Sequence, residues 1–378
     1  MLVTLQPVLR RFWYALMPIS ALDDGPKPFT LLGENLVLWK TADGTPAALR
    51  DRCCHRTAKL SKGHVDDAGR IVCGYHGWTY DCTGACVRIP QFGPDETIPA
   101  NAKVPAFHCQ ERYGYVWVAL ADPLQPIPEF PEDGRPGWRR IFQLYQEWKT
   151  SPVRLMENSF DNAHFSFVHR GTFGDPDRPV PKTYELVDTA DGFEAESSVP
   201  IVNPPAAHRV TGSSAPHVVR HLRNRYYLPF SRRFGCSYDS GVEHVIYNCA
   251  TPIDDERMML VQWLYRNDTE ADCPAQTLID WDGAVTAEDR EILEATDPDA
   301  CIDTRRRQEF HMPSDKPGLV IRQKLMALLA AHGEVERHRP PLEAIGVRVE
   351  RTHVEPAHME PAHMEPARVE PARVERAQ

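Results

Sequence analysis

Two short stretches decide how this chain is read: Arg52-Cys53-Cys54-His55-Arg56-Thr57-Ala58-Lys59-Leu60-Ser61, and Cys73-Gly74-Tyr75-His76-Gly77-Trp78-Thr79-Tyr80-Asp81. Each carries one Cys–His pair, Cys53-x-His55 and Cys73-x-x-His76. Two such pairs can hold two irons, with the thiolates on one and the imidazoles on the other. Neutral imidazoles make such a cluster less negative than an all-cysteine one and raise its reduction potential. The centre can then take electrons from a low-potential donor and pass them on. A zinc site is the alternative, but zinc fingers pair Cys with Cys and His with His. Here each stretch has one of each.

The surroundings read as a small all-β unit. Asn35-Leu-Val-Leu-Trp-Lys40, Arg70-Ile-Val-Cys73 and Tyr113-Gly-Tyr-Val-Trp-Val-Ala-Leu120 have strand character, and Phe29 to Trp39 reads as one strand-like segment. Asp43-Gly44, Asp67-Ala-Gly69 and Thr83-Gly84 supply turns between strands. Residues 121–138 hold Pro123, Pro126, Pro128, Pro131 and Pro136, a composition suited to an inter-domain linker. Beyond it, residues 139–335 read as an α+β domain. Glu243–Cys249 and Met258–Tyr265 look like strands with bulky side chains. Leu155–Val168 and Ala287–Ala295 have helical composition, and Leu319–His332 repeats apolar residues at helical spacing. From 337 to 378 a five-residue repeat such as His358-Met-Glu-Pro-Ala takes over, and its regular prolines forbid a continuous helix. It reads as an extended or disordered tail whose histidines could bind metal weakly.

The composition excludes several classes. The formal net charge is −10 with no basic stripe, which argues against a nucleic-acid binder and fits a cytoplasmic enzyme with a small-molecule substrate. Five of the ten cysteines fall between 53 and 86, a clustering that suggests metal rather than a secreted disulfide scaffold. Cys54, Cys82 and Cys86 read as free thiols, with a Cys82–Cys86 bridge left to geometry. Arg10 and Arg11 precede an apolar run from Phe12 to Leu22, but Pro18 interrupts it and it is rich in aromatics, unlike a cleaved export signal. No other run approaches the roughly 18–20 apolar residues of a membrane span.

A second constellation lies at Asn158-x2-Asp161-x2-His164-x4-His169. In a continuous helix Asn158, Asp161 and His164 share one ridge, and His169 falls off it. A break between His164 and His169 would let both imidazoles meet one metal. Two histidines and a carboxylate make the facial triad of a mononuclear non-haem iron oxygenase, with open positions for O2. Asp289, in Val285-Thr-Ala-Glu-Asp289-Arg, is the third-ligand candidate. Thr286-x-x-Asp289 could instead be a helix-start capping box, and Asp280, Asp282 and Asp297 are alternates. Asn158 either lines the iron pocket or bonds a backbone group. His208, His217 and His221 read as surface residues.

The paired Cys–His stretches and the Asn-x2-Asp-x2-His-x4-His pattern together resemble the α-subunits of Rieske non-haem iron oxygenases, the ring-hydroxylating and demethylating enzymes that include vanillate O-demethylase-like monooxygenases. The resemblance spans residues 10–335. It implies a Rieske [2Fe–2S] domain at 10–122 with Cys53, His55, Cys73 and His76 as ligands. A helix-grip catalytic domain at 139–335 would follow, with His164, His169 and Asp289 on a mononuclear Fe(II). It further implies that Asp161 joins His164 to His76 of a neighbouring chain as an electron bridge, in a head-to-tail homotrimer. No Gly-x-Gly-x-x-Gly follows a strand and no plant-type cysteine spacing occurs, so electrons should come from a separate NAD(P)H-dependent reductase or ferredoxin. The implied reaction is O2-dependent hydroxylation or oxidative demethylation of a small aromatic or heterocyclic compound, favoured over dioxygenation. A non-catalytic Rieske electron carrier, without the second iron, is the rival, and a zinc-stabilised binding module a third possibility.

Overall fold

The computed structural model describes residues 1–339. The repeat expected to form an extended tail lies outside the described residues from position 340 onward.

The N-terminal third is built of short strands in three small antiparallel sheets. These comprise β1 (Tyr14–Pro18), β2 (Lys27–Leu31), β3 (Glu34–Lys40), β4 (Pro46–Arg50), β5 (His64–Val65), β6 (Ile71–Val72), β7 (Thr79–Tyr80), β8 (Cys86–Arg88), β9 (His108–Arg112) and β10 (Tyr115–Ala119). The segment Phe29–Trp39, expected as one strand, is a hairpin: β2 pairs with β3 around Leu32 and Gly33, which have φ of 49° and 77°. Successive left-handed residues match the right-handed twist of the flanking strands. Leu32 is strained there, and the turn is held by the second half of the chain: the Leu32 and Gly33 N–H groups donate to Pro252 O and Ile253 O at 3.0 and 2.9 Å.

Residues 121–138 are not a free linker. Ile127, Phe130 and Glu132 are buried, and Glu132 accepts from Tyr247 Oη at 2.6 Å and Arg233 Nε at 3.1 Å. The prolines of this segment shape an extended path along a sheet instead of a hinge between bodies.

The remainder is α+β. It comprises β11 (Arg139–Trp148), α1 (Pro152–Ser159), α2 (Phe165–Val168), β12 (Glu185–Thr189), β13 (Gly192–Val202), α3 (His208–Thr211), β14 (His217–Tyr227), β15 (Ser231–Ser237), β16 (Glu243–Pro252), β17 (Met258–Arg266), α4 (Ala275–Leu293) and α5 (Lys316–Ala331). Its strands form one antiparallel sheet in the order β11-β17-β16-β15-β14-β13-β12. The closing helix expected near 319–332 is α5. The helix expected over 287–295 is the last part of a longer one that starts at Ala275.

Alternation along β16 and β17 explains how the sheet serves two partners. Val245, Tyr247 and Cys249 pair with Tyr265, Trp263 and Val261, and all six pack with Tyr115, Trp117 and Phe130 of the N-terminal half and connector. Residues one step along point the other way. Ile246 and Leu264 meet α4 through Leu278 and Trp281. Both faces are covered, so these strands read as near-continuous apolar runs. Three polar residues of these strands, His244, Asn248 and Gln262, fall on the helix-side face, where they line a cavity.

Candidate active site

The first group of site residues sits on two loops, between β4 and β5 and between β6 and β7. The loops fold alike. Cys53 N–H donates to Ala58 O and Cys53 O accepts from Thr57 N–H, at 2.8 and 3.1 Å. Cys73 N–H donates to Trp78 O and Cys73 O accepts from Gly77 N–H, at 2.8 and 3.0 Å. The turn position is left-handed in both, Thr57 at φ 58° and Gly77 at φ 73°. Gly77 has a second reason to lack a side chain, because a Cβ would meet Pro90 Cγ at 3.0 Å. Asp51, buried beneath the first loop, accepts from Ser61 N–H and Oγ at 2.7 and 2.6 Å and ties the loop down.

Cys53 and Cys73 are buried, and His55 and His76 are half-buried above them with ring centroids 4.6 Å apart. His55 stacks on Trp78 at 4.5 Å. Its Nδ1 is buried with no hydrogen-bond partner, which is costly for a polar atom unless a metal takes the lone pair. The four donors therefore fit a cluster with sulfur ligands inside and imidazoles outside. Tyr80 Oη lies 3.0 Å from Cys53 Sγ and 3.3 Å from Cys54 Sγ. Burial and these thiols push its pKa well up, so the phenol stays a donor to sulfur. All ten cysteines are free, and no Cys82–Cys86 bridge forms.

The second group is assembled by α1, α2 and α4. Ser151 caps α1 by accepting from Arg154 N–H, Pro152 occupies its first turn, and the helix ends at Ser159. Asn158 alone of the expected ridge is inside it. The chain breaks before His164, not between His164 and His169, where α2 intervenes. Asp161 drives the local turn by accepting from Ala163 N–H at 2.6 Å. The outcome is the convergence that the spacing implied, reached by an earlier break. His164 Nε2 and His169 Nε2 are 3.1 Å apart, and Asp289 Oδ1 lies 3.5 and 3.3 Å from them.

The outer contacts fix the ring states. Asp161 Oδ2 is 3.3 Å from His164 Nδ1, and Glu288 Oε2 is 3.0 Å from His169 Nδ1. Each Nδ1–H is thus donated to a carboxylate, which leaves a lone pair on each Nε2. In that tautomer two lone pairs and a carboxylate oxygen converge on one point. That cluster of acceptors is unfavourable until a cation occupies it, and it matches a two-His–one-carboxylate iron site. Glu288 is held in turn by Gly171 N–H and Thr172 Oγ1, at 3.1 and 2.7 Å. Asn158 Nδ2 donates to Asp289 Oδ1 at 2.9 Å, so it bonds the carboxylate and not a backbone group.

The alternates lie elsewhere. Asp280 accepts from Gln276, Asp282 engages His244, and Asp297 accepts from Asp299 N–H. The capping-box alternative fails because Thr286 is inside α4, where its Oγ1 donates to Asp282 O at 2.5 Å. His217 is exposed and His208 and His221 half-buried, none of them at the triad.

The triad opens on a cavity of about 100 Å³ between the sheet and α4, walled by Trp148, Phe165, Phe173, Phe234 and Trp281. A hydrogen-bonded chain crosses its floor. Asn248 Nδ2 donates to Gln262 Oε1 (2.6 Å), Gln262 Nε2 to Gln143 Oε1 (2.9 Å), and Gln143 Nε2 to Asp282 Oδ2 (2.5 Å). Gln143 reaches inward because the β11–β17 register shifts there, and such bulges re-aim a side chain. His244 Nε2 is 3.0 Å from Asp282, and its Nδ1 accepts from Arg266 Nη1 at 3.1 Å, so the proton sits on Nε2. Burial holds His244 below its ordinary pKa despite Asp282, and the ring is neutral at pH 7. Sequence reasoning missed Tyr80, Glu288 and this floor. A signal existed for the floor: polar residues recurring on one face of strands that are otherwise apolar.

Family models describe the same division. The Rieske [2Fe-2S] domain model matches residues 12–108, and the vanillate O-demethylase oxygenase C-terminal domain model matches residues 148–331. Methylxanthine N1-demethylase NdmA of Pseudomonas putida is 32% identical over 336 residues, covering 86% of this chain and 91% of that protein. The N3-demethylase NdmB of the same organism is 40% identical over 179 residues, 44% of this chain and 50% of that one. The solved structure of NdmA with caffeine superposes with a TM-score of 0.73 at 28% identity, covering 89% of this chain and 99% of that one. Dicamba monooxygenase bound to dicamba, at 23% identity, has a TM-score of 0.73 over 86% and 98% of the two chains and shares the fold.

Proposed function

This chain belongs to the Rieske non-haem iron oxygenases, and from that we propose that it is the terminal component of a monooxygenase acting on a small aromatic or heterocyclic compound, by hydroxylation or oxidative demethylation. A [2Fe–2S] cluster and a mononuclear iron are its cofactors, and when bound they supply electron transfer and O2 activation. We assign the cluster to Cys53, His55, Cys73 and His76, and the iron to His164, His169 and Asp289. The convergence of three acceptor atoms at the head of an aromatic-walled cavity carries this reading.

The chain's own groups have distinct tasks. Asp161 and Glu288 hold the Nδ1 protons, so that both Nε2 atoms face the metal position. Asn158 steadies the carboxylate of Asp289 through its 2.9 Å hydrogen bond. The aromatic walls keep water from the reacting position and stack against a flat substrate. The polar floor offers hydrogen bonds that orient it.

Electron supply extends the proposal beyond one chain. Asp161 retains 30% exposure and Tyr75, next to His76, 65%. Both stay accessible from outside, which suits Asp161 linking His164 to His76 of the partner subunit in a head-to-tail trimer. A separate NAD(P)H-dependent reductase or ferredoxin would feed the cluster, in the cytoplasm. Among the described residues no helix is long and apolar enough to cross a membrane.

The test is turnover of a substrate panel with a surrogate reductase, scoring formaldehyde against hydroxylated product, with iron counted in the same preparation. The oxygenase reading expects about three irons per chain and product formation, from the ligand counts. About two irons and no product would leave an electron carrier.

A further inference from the structure

Among the described residues, one cation lining the cavity has no hydrogen-bond acceptor. Two arginines reach into it from neighbouring strands, Arg220 on β14 and Arg232 on β15. Their settings differ. Arg220 donates through Nε to Tyr238 Oη at 3.3 Å and lies 3.8 Å over the ring of Phe173. Burial alone would lower its pKa, but Tyr238, Cys236 and Asp282 leave it above the ordinary value. Its charge is therefore accommodated by the protein.

Arg232 is accommodated less well. Its guanidinium sits 4.5 Å from the Phe234 ring centroid and 5.6 Å from that of Phe160, and its Nε is buried without an acceptor. Among the described residues no carboxylate lies within 4.0 Å of it to form an ion pair. The cavity's two carboxylates are already engaged, Asp289 at the triad and Asp282 with His244 and Gln143. Burial pushes Arg232 down to about 10, with Tyr184 and Asp289 offsetting only part of the cost. It is still protonated at neutral pH, fixed by two rings, with unused donors facing the space where substrate must lie. A cation bound at the triad would add further positive charge nearby.

We propose that Arg232 anchors an anionic group of the substrate, and that the enzyme's substrate is a small aromatic carboxylate. A planar carboxylate can take two parallel N–H donors from a guanidinium, a match that a neutral amide cannot make. Arg220 is already engaged by Tyr238 and Phe173, and its backbone is distant from that of Arg232. Arg232 pairs with Tyr226 across the strands, and Arg220 lies six residues back along β14, on the order of 20 Å at strand spacing. The inference rests on the oxygenase reading for the position of the reacting atom, and on the cavity alone for the charge.

The test is a calorimetric binding titration of the anaerobic holoenzyme with benzoate and the methoxybenzoates, each against its matching benzamide. Carboxylates should bind about tenfold or more tighter than amides, the scale of a charge-assisted hydrogen-bond pair. Arg232→Gln should bring the two series to parity without weakening the amides. Arg232→Lys, which keeps the charge but not the fork, should retain a smaller preference, and the visible spectrum of the cluster reports that each variant is folded. Amides that match the carboxylates, a panel in which no carboxylate binds, or an Arg232→Gln protein with its preference intact would overturn the proposal. Turnover separates the two readings. A neutral N-methyl heterocycle that releases formaldehyde while benzoates fail to bind sinks the anion and keeps the oxygenase. Benzoates that bind but never react do the reverse.

Discussion

Glu288 Oε2 lies 3.0 Å from His169 Nδ1, while the next residue along α4, Asp289, places Oδ1 3.3 Å from Nε2 of the same ring. Adjacent carboxylates on one helix thus grip both edges of one imidazole. One fixes its proton, and the other shares its proposed metal position. A shift of α4 would move both together.

Removing the outer member should loosen the ring without removing a ligand. Glu288→Ala is expected to weaken mononuclear iron binding roughly 10–100-fold, the usual cost of losing an orienting partner. The cluster should be unaffected. Iron retained after dialysis against a graded chelator, read beside the visible spectrum, measures this, and unchanged retention would make Glu288 a bystander.

Removing the inner member should empty the site. Asp289→Ala should fall from about three irons per chain to about two, counted from the proposed ligands. Full retention would move the third ligand to another residue.

Asp161→Ala separates metal loading from electron supply. Asp161 orients His164 at 3.3 Å and is the proposed link to the cluster of the partner subunit. The variant should keep its cluster and, although iron binds more weakly as in Glu288→Ala, lose product formation far out of proportion to the iron lost. A merely structural role would lower iron and activity in proportion. Normal coupled turnover would end the bridging role.

A stability prediction follows from Asp268, away from either metal. Burial would raise its pKa, but hydrogen bonds and charge from Arg266 and Arg139 outweigh that and hold it below the ordinary carboxylate value. A depressed folded pKa stabilises above the unfolded value and loses that contribution as pH falls through the folded one. Wild type should therefore exceed Asp268→Asn in urea midpoint at neutral pH, with the gap narrowing below about pH 4. A gap that widens in acid would contradict the sign.

What could be read from sequence follows the distances involved. Cys53 with His55, Cys73 with His76 and His164 with His169 are near neighbours in the chain, so spacing carried their chemistry. Asp289 is remote and was reached through family resemblance, with three rival aspartates still open. Glu288 and Tyr80 carry no local pattern, and the Asn248–Gln262–Gln143–Asp282 chain shows only as polar residues on one face of apolar strands. They meet only through sheet register, a bulge and the packing of α4. The hairpin at Leu32 was hidden because a leucine there does not announce a left-handed turn, and contact with Ile253 is what holds it. The proline-rich segment misled for a related reason: composition gives its stiffness but not that Phe130 and Glu132 would be buried.

The shared packing has a practical outcome for building hybrids of this enzyme. Leu31, Leu36 and Val116 belong to the same apolar cluster as Tyr226, Leu260 and Leu325. A cut near residue 130 would strip Trp263 and Tyr247 of their partners and free the Leu32 turn from its anchor. A transplant of the cluster-bearing half onto a foreign sheet should give insoluble protein, unless the facing side chains of β10, the connector, β16 and β17 travel with it as a matched set.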